Sequence, residues 1–236
     1  RGSIFIKQIS RLRLAKVDKY PIFAKYKVKG IKNIIFDLGG VIIDLDFNLT
    51  FNEFNKISEI PFETIYAKTK RSELFNLFDT GKISESDFFK ELRKELRYKG
   101  PEENLYDAWN IMLLGVPERR LDTLIELKQR YSTFLLSNTN ETHIKAFERD
   151  LYLRNGVRNF NDYFDEVYYS CRIGMRKPDK EIFEYVSKEN KLKPEQTIFI
   201  DDSDQHVKAA GNCGINAYLL QPNMEVKDLL TQLNLL

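Results

Sequence analysis

Four short segments of this chain carry apolar runs into groups that can do chemistry. Asp37 ends IKNIIFD (31–37), Ser137-Asn138 ends STFLLSN (132–138), Lys177 lies in GMRKPDKEIF (174–183), and Asp201-Asp202 ends TIFIDD (197–202). Singly, each has a structural reading: an Asp after a strand forms turns, Ser-Asn caps helices, Lys-Pro sits in loops, and an acidic pair opens helices. Together they put carboxylates, a hydroxyl, an amide and an ammonium group at strand ends. Open α/β sheets bind ligands there, in the crevice at a topological switch point.

The strands that must carry these groups are legible. Ile31–Asp37 is a nearly continuous apolar run of strand length entering Leu38-Gly39-Gly40, the pattern of a strand buried on both faces. Similar runs predict strands over Ser132–Ser137, Asp165–Tyr169, Thr197–Asp201 and Asn216–Leu220. Helical periods lie between them. Pro117 opens a segment with Leu121, Leu124, Ile125 and Leu127 on one side, and Glu181–Lys188 groups Ile182, Phe183 and Val186. The alternation predicts an α/β fold, a doubly wound, Rossmann-like parallel sheet with right-handed crossovers.

Residues 47–115 break that alternation. Their period is helical throughout (Phe51/Phe54, Phe62/Ile65/Tyr66, Leu74/Phe75/Phe78, Phe88/Phe89/Leu92, Leu105/Trp109/Met112/Leu113), which predicts an all-helical cap inserted after the first strand. Segments 31–46 and 116–236 are then the α/β core. Thr80-Gly81 closes one cap helix, and Ser84-x-x-Asp87 resembles a capping box with Asp for the usual Glu or Gln. The aromatic stripes read as packing.

Composition narrows the class. At 236 residues, with 42% hydrophobic and 31% charged residues, the chain can bury a sizeable core, and its apolar bursts are too short for a membrane span. Cys171 and Cys213 form no metal-ligand or disulfide pattern, so a reducing cytoplasm is the expected setting. Residues 1–30 hold nine Lys/Arg against the one acid Asp18, while the whole chain carries +2. Without a clean amphipathic face this reads as a basic N-terminal extension, poorly ordered or lying on the body, and the start at Arg1-Gly2-Ser3 fits a trimmed or engineered end. No nucleic-acid partner is expected, and oligomeric state is not readable.

IIFDLGGVIID (34–44), FLLSNTN (134–140), GMRKPDKEIF (174–183) and TIFIDDSDQHVKAAG (197–211) occur in an order, and with an insertion, that resembles the haloacid dehalogenase superfamily of hydrolases. The resemblance spans residues 31–220. It is nearest to the branch of bacterial α-glucose-1-phosphate phosphatases and the amino-terminal phosphatase domain of epoxide hydrolases. It implies a Mg²⁺-dependent phosphatase acting on a small phosphorylated substrate, a sugar phosphate foremost, through a phosphoryl group on Asp37. Asp37, Asp202 and the Gly39 carbonyl would hold Mg²⁺, and Lys177 would supply a cation. Ser137 and the backbone around Asn138 would bind the transferring phosphoryl, and Asp201 would orient the metal shell.

One position departs from the common pattern. Many members carry a second Asp two residues after the nucleophile as general acid and base; this chain has Gly39 there, as the glucose-1-phosphate branch does. That contribution is typically ~10²–10⁴-fold, so an acidic leaving group such as an anomeric hydroxyl is expected. A metal-independent 2-haloacid dehalogenase, a phosphotransferase and a non-catalytic binding protein on the same scaffold are the alternatives, and the acidic pair Asp201-Asp202 favours phosphate chemistry over halide displacement. His206 reads as a surface helix residue and His143 as a helix residue without a catalytic role. Asp44 and Asp46 could contact substrate hydroxyls or be solvated loop acids.

Overall fold

The computed structural model describes residues 30–71 and 73–236; the reading of the basic N-terminal segment therefore falls, Gly30 apart, outside the described residues. In chain order the elements are β1 (Asn33–Phe36), β2 (Asp44–Leu45), α1 (Phe47–Ile57), α2 (Phe62–Arg71), α3 (Leu74–Asp79), α4 (Glu85–Leu96), α5 (Glu103–Asn110) and β3 (Leu113–Gly115). There follow α6 (Glu118–Lys128), β4 (Ser132–Ser137), α7 (Glu141–Asn155), β5 (Glu166–Tyr169), α8 (Ser170–Ile173), α9 (Lys180–Glu189), β6 (Thr197–Asp201), α10 (Asp204–Asn212), β7 (Asn216–Leu219) and α11 (Val226–Gln232).

Five strands form one parallel sheet in the order β5-β4-β1-β6-β7. Successive side chains of a strand face opposite ways, and here both faces are covered. Ile34, Phe36, Leu135, Ile198 and Ile200 meet Leu121, Leu124 and Leu127 of α6, Ile144, Phe147 and Leu151 of α7, and Leu229 and Leu230 of α11. Ile35, Phe134, Leu136 and Phe199 meet Ile182, Phe183 and Val186 of α9 and Ala210 of α10. This two-sided burial is why the strands appear in the sequence as unbroken apolar runs. Ile125 is a correction: it is 49% exposed, because α6 turns only Leu121, Leu124 and Leu127 of that predicted group inward.

Helices α1 to α5 enclose a separate aromatic core inserted after the first strand. Phe54 stacks on Phe62 at 4.5 Å, Phe78 on Phe88 at 4.0 Å, and Phe75 on Trp109 at 5.7 Å. Gly81, at φ +66, follows α3, and the Ser84 hydroxyl accepts from the Asp87 N–H at 3.0 Å, so both turn signals act at the expected places. The helical period misreads one end of the insertion. Leu113 belongs to β3, which pairs antiparallel with β2 and brings the entry and exit of the insertion side by side. Arg120, 6% exposed, ties that ribbon to the core by pairing with Asp44 Oδ1 at 2.8 Å and donating to the Ile42 carbonyl at 3.2 Å and to Glu225 Oε2 at 3.1 Å.

Candidate active site

Asp37 leaves the central strand one residue beyond Phe36, and its N–H donates to the Ile200 carbonyl at 2.9 Å. The register of β1 with β4 and β6 therefore sets it between the ends of those strands, near Ser137 and Asp201. Lys177, fully buried, donates to Asp37 Oδ1 at 2.8 Å and to Asp201 Oδ2 at 2.7 Å. Burial alone would strip its proton, but the two carboxylates outweigh burial and hold its pKa above the ordinary lysine value. Asp37 responds the other way. Burial, with Asp201 and Asp202 adding to it, pushes its carboxyl up to about 7 against the pull of Lys177. Asp201 is held below its usual range, because Lys177 and His206 together outweigh its burial.

Oxygens of Asp37, Asp201 and Asp202 lie within 4.8 Å of one another, a hard-oxygen donor set of the kind that suits Mg²⁺. Asp201 spends both oxygens on protein: Oδ2 accepts from Lys177, Oδ1 accepts from the Ser203 N–H at 2.7 Å, and His206 Nδ1 lies 3.0 Å from each. His206, read from the sequence as a surface helix residue, is only partly exposed; it packs on Asp201 from the first turn of α10.

Gly40 makes room for Asp202. It adopts φ +73, and a Cβ there would lie 2.4 Å from Asp202 Oδ2, so neither the conformation nor the space admits a side chain. Gly40→Ala is expected to cost about 1–3 kcal/mol of stability and to raise the Mg²⁺ concentration needed for half-maximal activity. Thermal melts and a Mg²⁺ titration of turnover read the two effects separately.

Ser137, at the end of β4, is 2% exposed, and among the described residues nothing hydrogen-bonds its hydroxyl. The hydroxyl oxygen itself is not fully enclosed, so it opens toward the site and is available to a ligand. Asn138 has a role its residue type did not announce. Its side-chain oxygen accepts from the Lys177 N–H at 2.9 Å and its amide donates to the Lys177 carbonyl at 2.8 Å, which fixes the lysine backbone from both sides.

The remaining sequence candidates do other work. Asp44 pairs with Arg120, and Asp46 caps α1 by accepting from the Asn48 N–H at 2.9 Å, so both acids have structural partners. His143 stacks on Trp109 at 5.1 Å, with Nε2 3.2 Å from the Trp109 carbonyl. Burial pushes its pKa down to about 4, leaving it a neutral contact between α7 and α5.

The model of the haloacid dehalogenase-like hydrolases matches residues 31–214. The chain belongs to that family. It is 29% identical over 201 residues, 85% of its own length and 97% of the relative's, to the D-ribitol-5-phosphate phosphatase of Bacteroides thetaiotaomicron. Similarity to the sesquiterpene phosphatase astK of Aspergillus oryzae is 29% identity over 78% of this chain and 87% of that one. A crystal structure of the family enzyme bt-2542 from B. thetaiotaomicron, in complex with magnesium and inorganic phosphate, superposes with a TM-score of 0.75 at 33% identity, covering 85% of this chain and 99% of that one.

Sequence reasoning about this hydrolase missed the groups where cap helices meet the core. Asn140, 1% exposed, lies three residues beyond Ser137; its Oδ1 caps α7 through the His143 N–H at 3.0 Å, and its Nδ2 lies 3.4 Å from Asp79 Oδ1. Asp79, the last residue of α3, also accepts through its carbonyl from Ser170 Oγ. Nothing in the local sequence marks Asp79, because its partners lie more than 60 positions away.

Burial pushes the Asp79 carboxyl up to about 6, against the pull of Asn140 and Arg176. A raised carboxyl pKa means that the folded state holds its proton more tightly than the unfolded one. The resulting stability is present in full below about 3.8 and lost as pH rises through about 6. Asp79→Asn removes that dependence. The variant is expected to be more stable than the parent at pH 7.5 and by a clearly smaller margin at pH 4.5, as followed by denaturant melts at both values.

Proposed function

We propose that this hydrolase is a Mg²⁺-dependent phosphatase of small phosphate monoesters, sugar phosphates foremost, acting through a phosphoryl group on Asp37. The observation that carries the reading is the buried Lys177 ammonium bonded to Asp37 at 2.8 Å beside three carboxylates with oxygens within 4.8 Å of one another. A carboxylate attacking a phosphate dianion works against like charge, so the reaction needs cations at that point. Asp37, Asp202 and the Gly39 carbonyl would hold a Mg²⁺ ion, which supplies charge neutralisation when bound. Asp201, with both oxygens already engaged, supports the site by orienting Lys177.

The chain's own groups then divide the work. Lys177 and the Ser137 hydroxyl hold phosphoryl oxygens, with the backbone around Asn138 beside them. An Asp37 oxygen bonds to phosphorus as the ester P–O bond breaks, and the electron pair leaves with the ester oxygen, which takes up a proton. Water then attacks the same phosphorus, releasing inorganic phosphate and restoring the Asp37 carboxylate. Gly39 offers no proton, and an acid added there would have to displace the end of the half-buried Leu45 side chain, since a Cβ at Gly39 would lie 2.6 Å from Leu45 Cδ1. The relatives named as phosphatases of ribitol phosphate and of sesquiterpenes support phosphomonoester chemistry.

Phosphate release from a panel of sugar, polyol and aryl phosphates, with Mg²⁺ and with excess EDTA, tests this. Turnover is expected with the metal and to fall at least about 100-fold with the chelator. Halide release from 2-haloacids that ignores EDTA would instead support a dehalogenase.

A further inference from the structure

Ser170 opens α8 directly after β5 and is 0% exposed, yet its hydroxyl meets backbone groups from two parts of the molecule. It accepts from the Thr139 N–H at 2.9 Å, and it lies 2.5 Å from the Asp79 carbonyl and 3.1 Å from the Thr139 carbonyl. A serine hydroxyl has a single proton to donate, and the shorter contact to Asp79 takes it. Asp79 ends α3 of the cap, whereas Thr139 follows Ser137 and Asn138 in the loop that would hold the phosphoryl group. One enclosed hydroxyl therefore joins the cap to the phosphate loop.

What the hydroxyl does to that loop follows from the amides it engages and the one it leaves. The Thr139 N–H is committed to Ser170, which fixes the plane of the Asn138–Thr139 peptide, and the Asn138 side chain is held on both sides by the Lys177 backbone. Between these two restraints the Asn138 N–H keeps no acceptor among the described residues, beside the Ser137 hydroxyl. The cap presses on the same point. Gly81, in the turn after α3, adopts φ +66, and a Cβ there would lie 2.1 Å from the carbonyl of Cys171, the residue after Ser170, so only glycine lets the cap turn seat this closely.

Resting on the phosphatase reading above, we infer that Ser170 is a positioning residue that couples the seating of cap turn 79–81 to the geometry of the phosphate-binding loop. The cap thereby acts on the phosphoryl group itself, through a hydroxyl that touches no substrate. A cap turn pushed off its seat takes the Asp79 carbonyl with it, and the Ser170 proton then turns to the Thr139 carbonyl and draws the loop out of place.

The test is inhibition of 4-nitrophenyl phosphate hydrolysis by inorganic phosphate, with saturating Mg²⁺, in the parent, Ser170→Ala, Gly81→Ala and the double variant. Inorganic phosphate carries no leaving group, so it reports on the loop alone. Each single substitution is expected to raise the phosphate inhibition constant by about 5- to 50-fold. The double variant should bind phosphate no more weakly than Ser170→Ala, because both changes act through one hydroxyl. Melts of each protein give the folded fraction. A lowered melt with a parental inhibition constant would show that Ser170 only holds the fold and would overturn the inference, as would losses that multiply in the double variant. Ser170→Ala removes a single oxygen, and its inhibition constant decides the case should Gly81→Ala not fold. A parent that does not cleave the ester overturns the phosphatase reading, and the coupling with it; an active parent whose phosphate inhibition Ser170→Ala leaves unchanged overturns the coupling alone.

Discussion

Asp37→Asn is expected to lose at least about 10³-fold in kcat/KM on every phosphate ester the parent cleaves. The amide keeps the size of the carboxylate and can still accept from Lys177, but its oxygen is neither charged nor nucleophilic. Folding should survive, because Lys177 retains Asp201 at 2.7 Å. A melt near that of the parent together with lost turnover assigns the effect to chemistry, and a variant retaining a tenth of parental activity would remove Asp37 from the nucleophile's role.

Lys177→Met strikes both activity and stability. With the ammonium gone, Asp37 and Asp201, 8% and 0% exposed, are left side by side with no cation between them. Removing one partner from a buried ion pair typically costs about 3–5 kcal/mol, since the remaining charge has no water to turn to. Turnover should fall at least about 10³-fold, because the transferring phosphoryl loses its fixed positive neighbour. The stability loss should shrink as pH falls, because the Asp37 carboxyl, pushed up to about 7 even with Lys177 beside it, takes up a proton more readily once that cation is gone. Denaturant melts at pH 8 and pH 5.5 would show this; an equal loss at both would mean that carboxylate repulsion is not the cause.

The contrast between these two variants follows from what the sequence could and could not reveal. Strands buried on both faces leave unbroken apolar runs, so IKNIIFD, STFLLS and TIFID marked the sheet and delivered Asp37, Ser137 and Asp201 to the C-terminal ends of its three central strands. The helical insertion was equally visible in its aromatic period. What stayed hidden depends on contacts between distant segments. The β2–β3 ribbon is two and three residues long, below the length at which any period can register. His206 read as a surface helix residue, because the Asp201 carboxylate that claims it lies at the end of the preceding strand and enters no helical pattern. Asp44 and Arg120 are far apart in sequence and meet only because the ribbon folds back on α6. Asp79 meets Asn140 and Ser170 across more than sixty residues, and no local spacing encodes those contacts.

Every role assigned at the site requires that the phosphoryl group pass through Asp37. Rapid acid quench of a single turnover with Mg²⁺ and a cleaved phosphate ester, followed by mass spectrometry of the peptides, tests this most directly. The predicted result is one phosphoryl group on the peptide that contains Asp37, absent in the Asp37→Asn protein. Inorganic phosphate released in the first turnover with no phosphorylated peptide, or with the label on another residue, would contradict it.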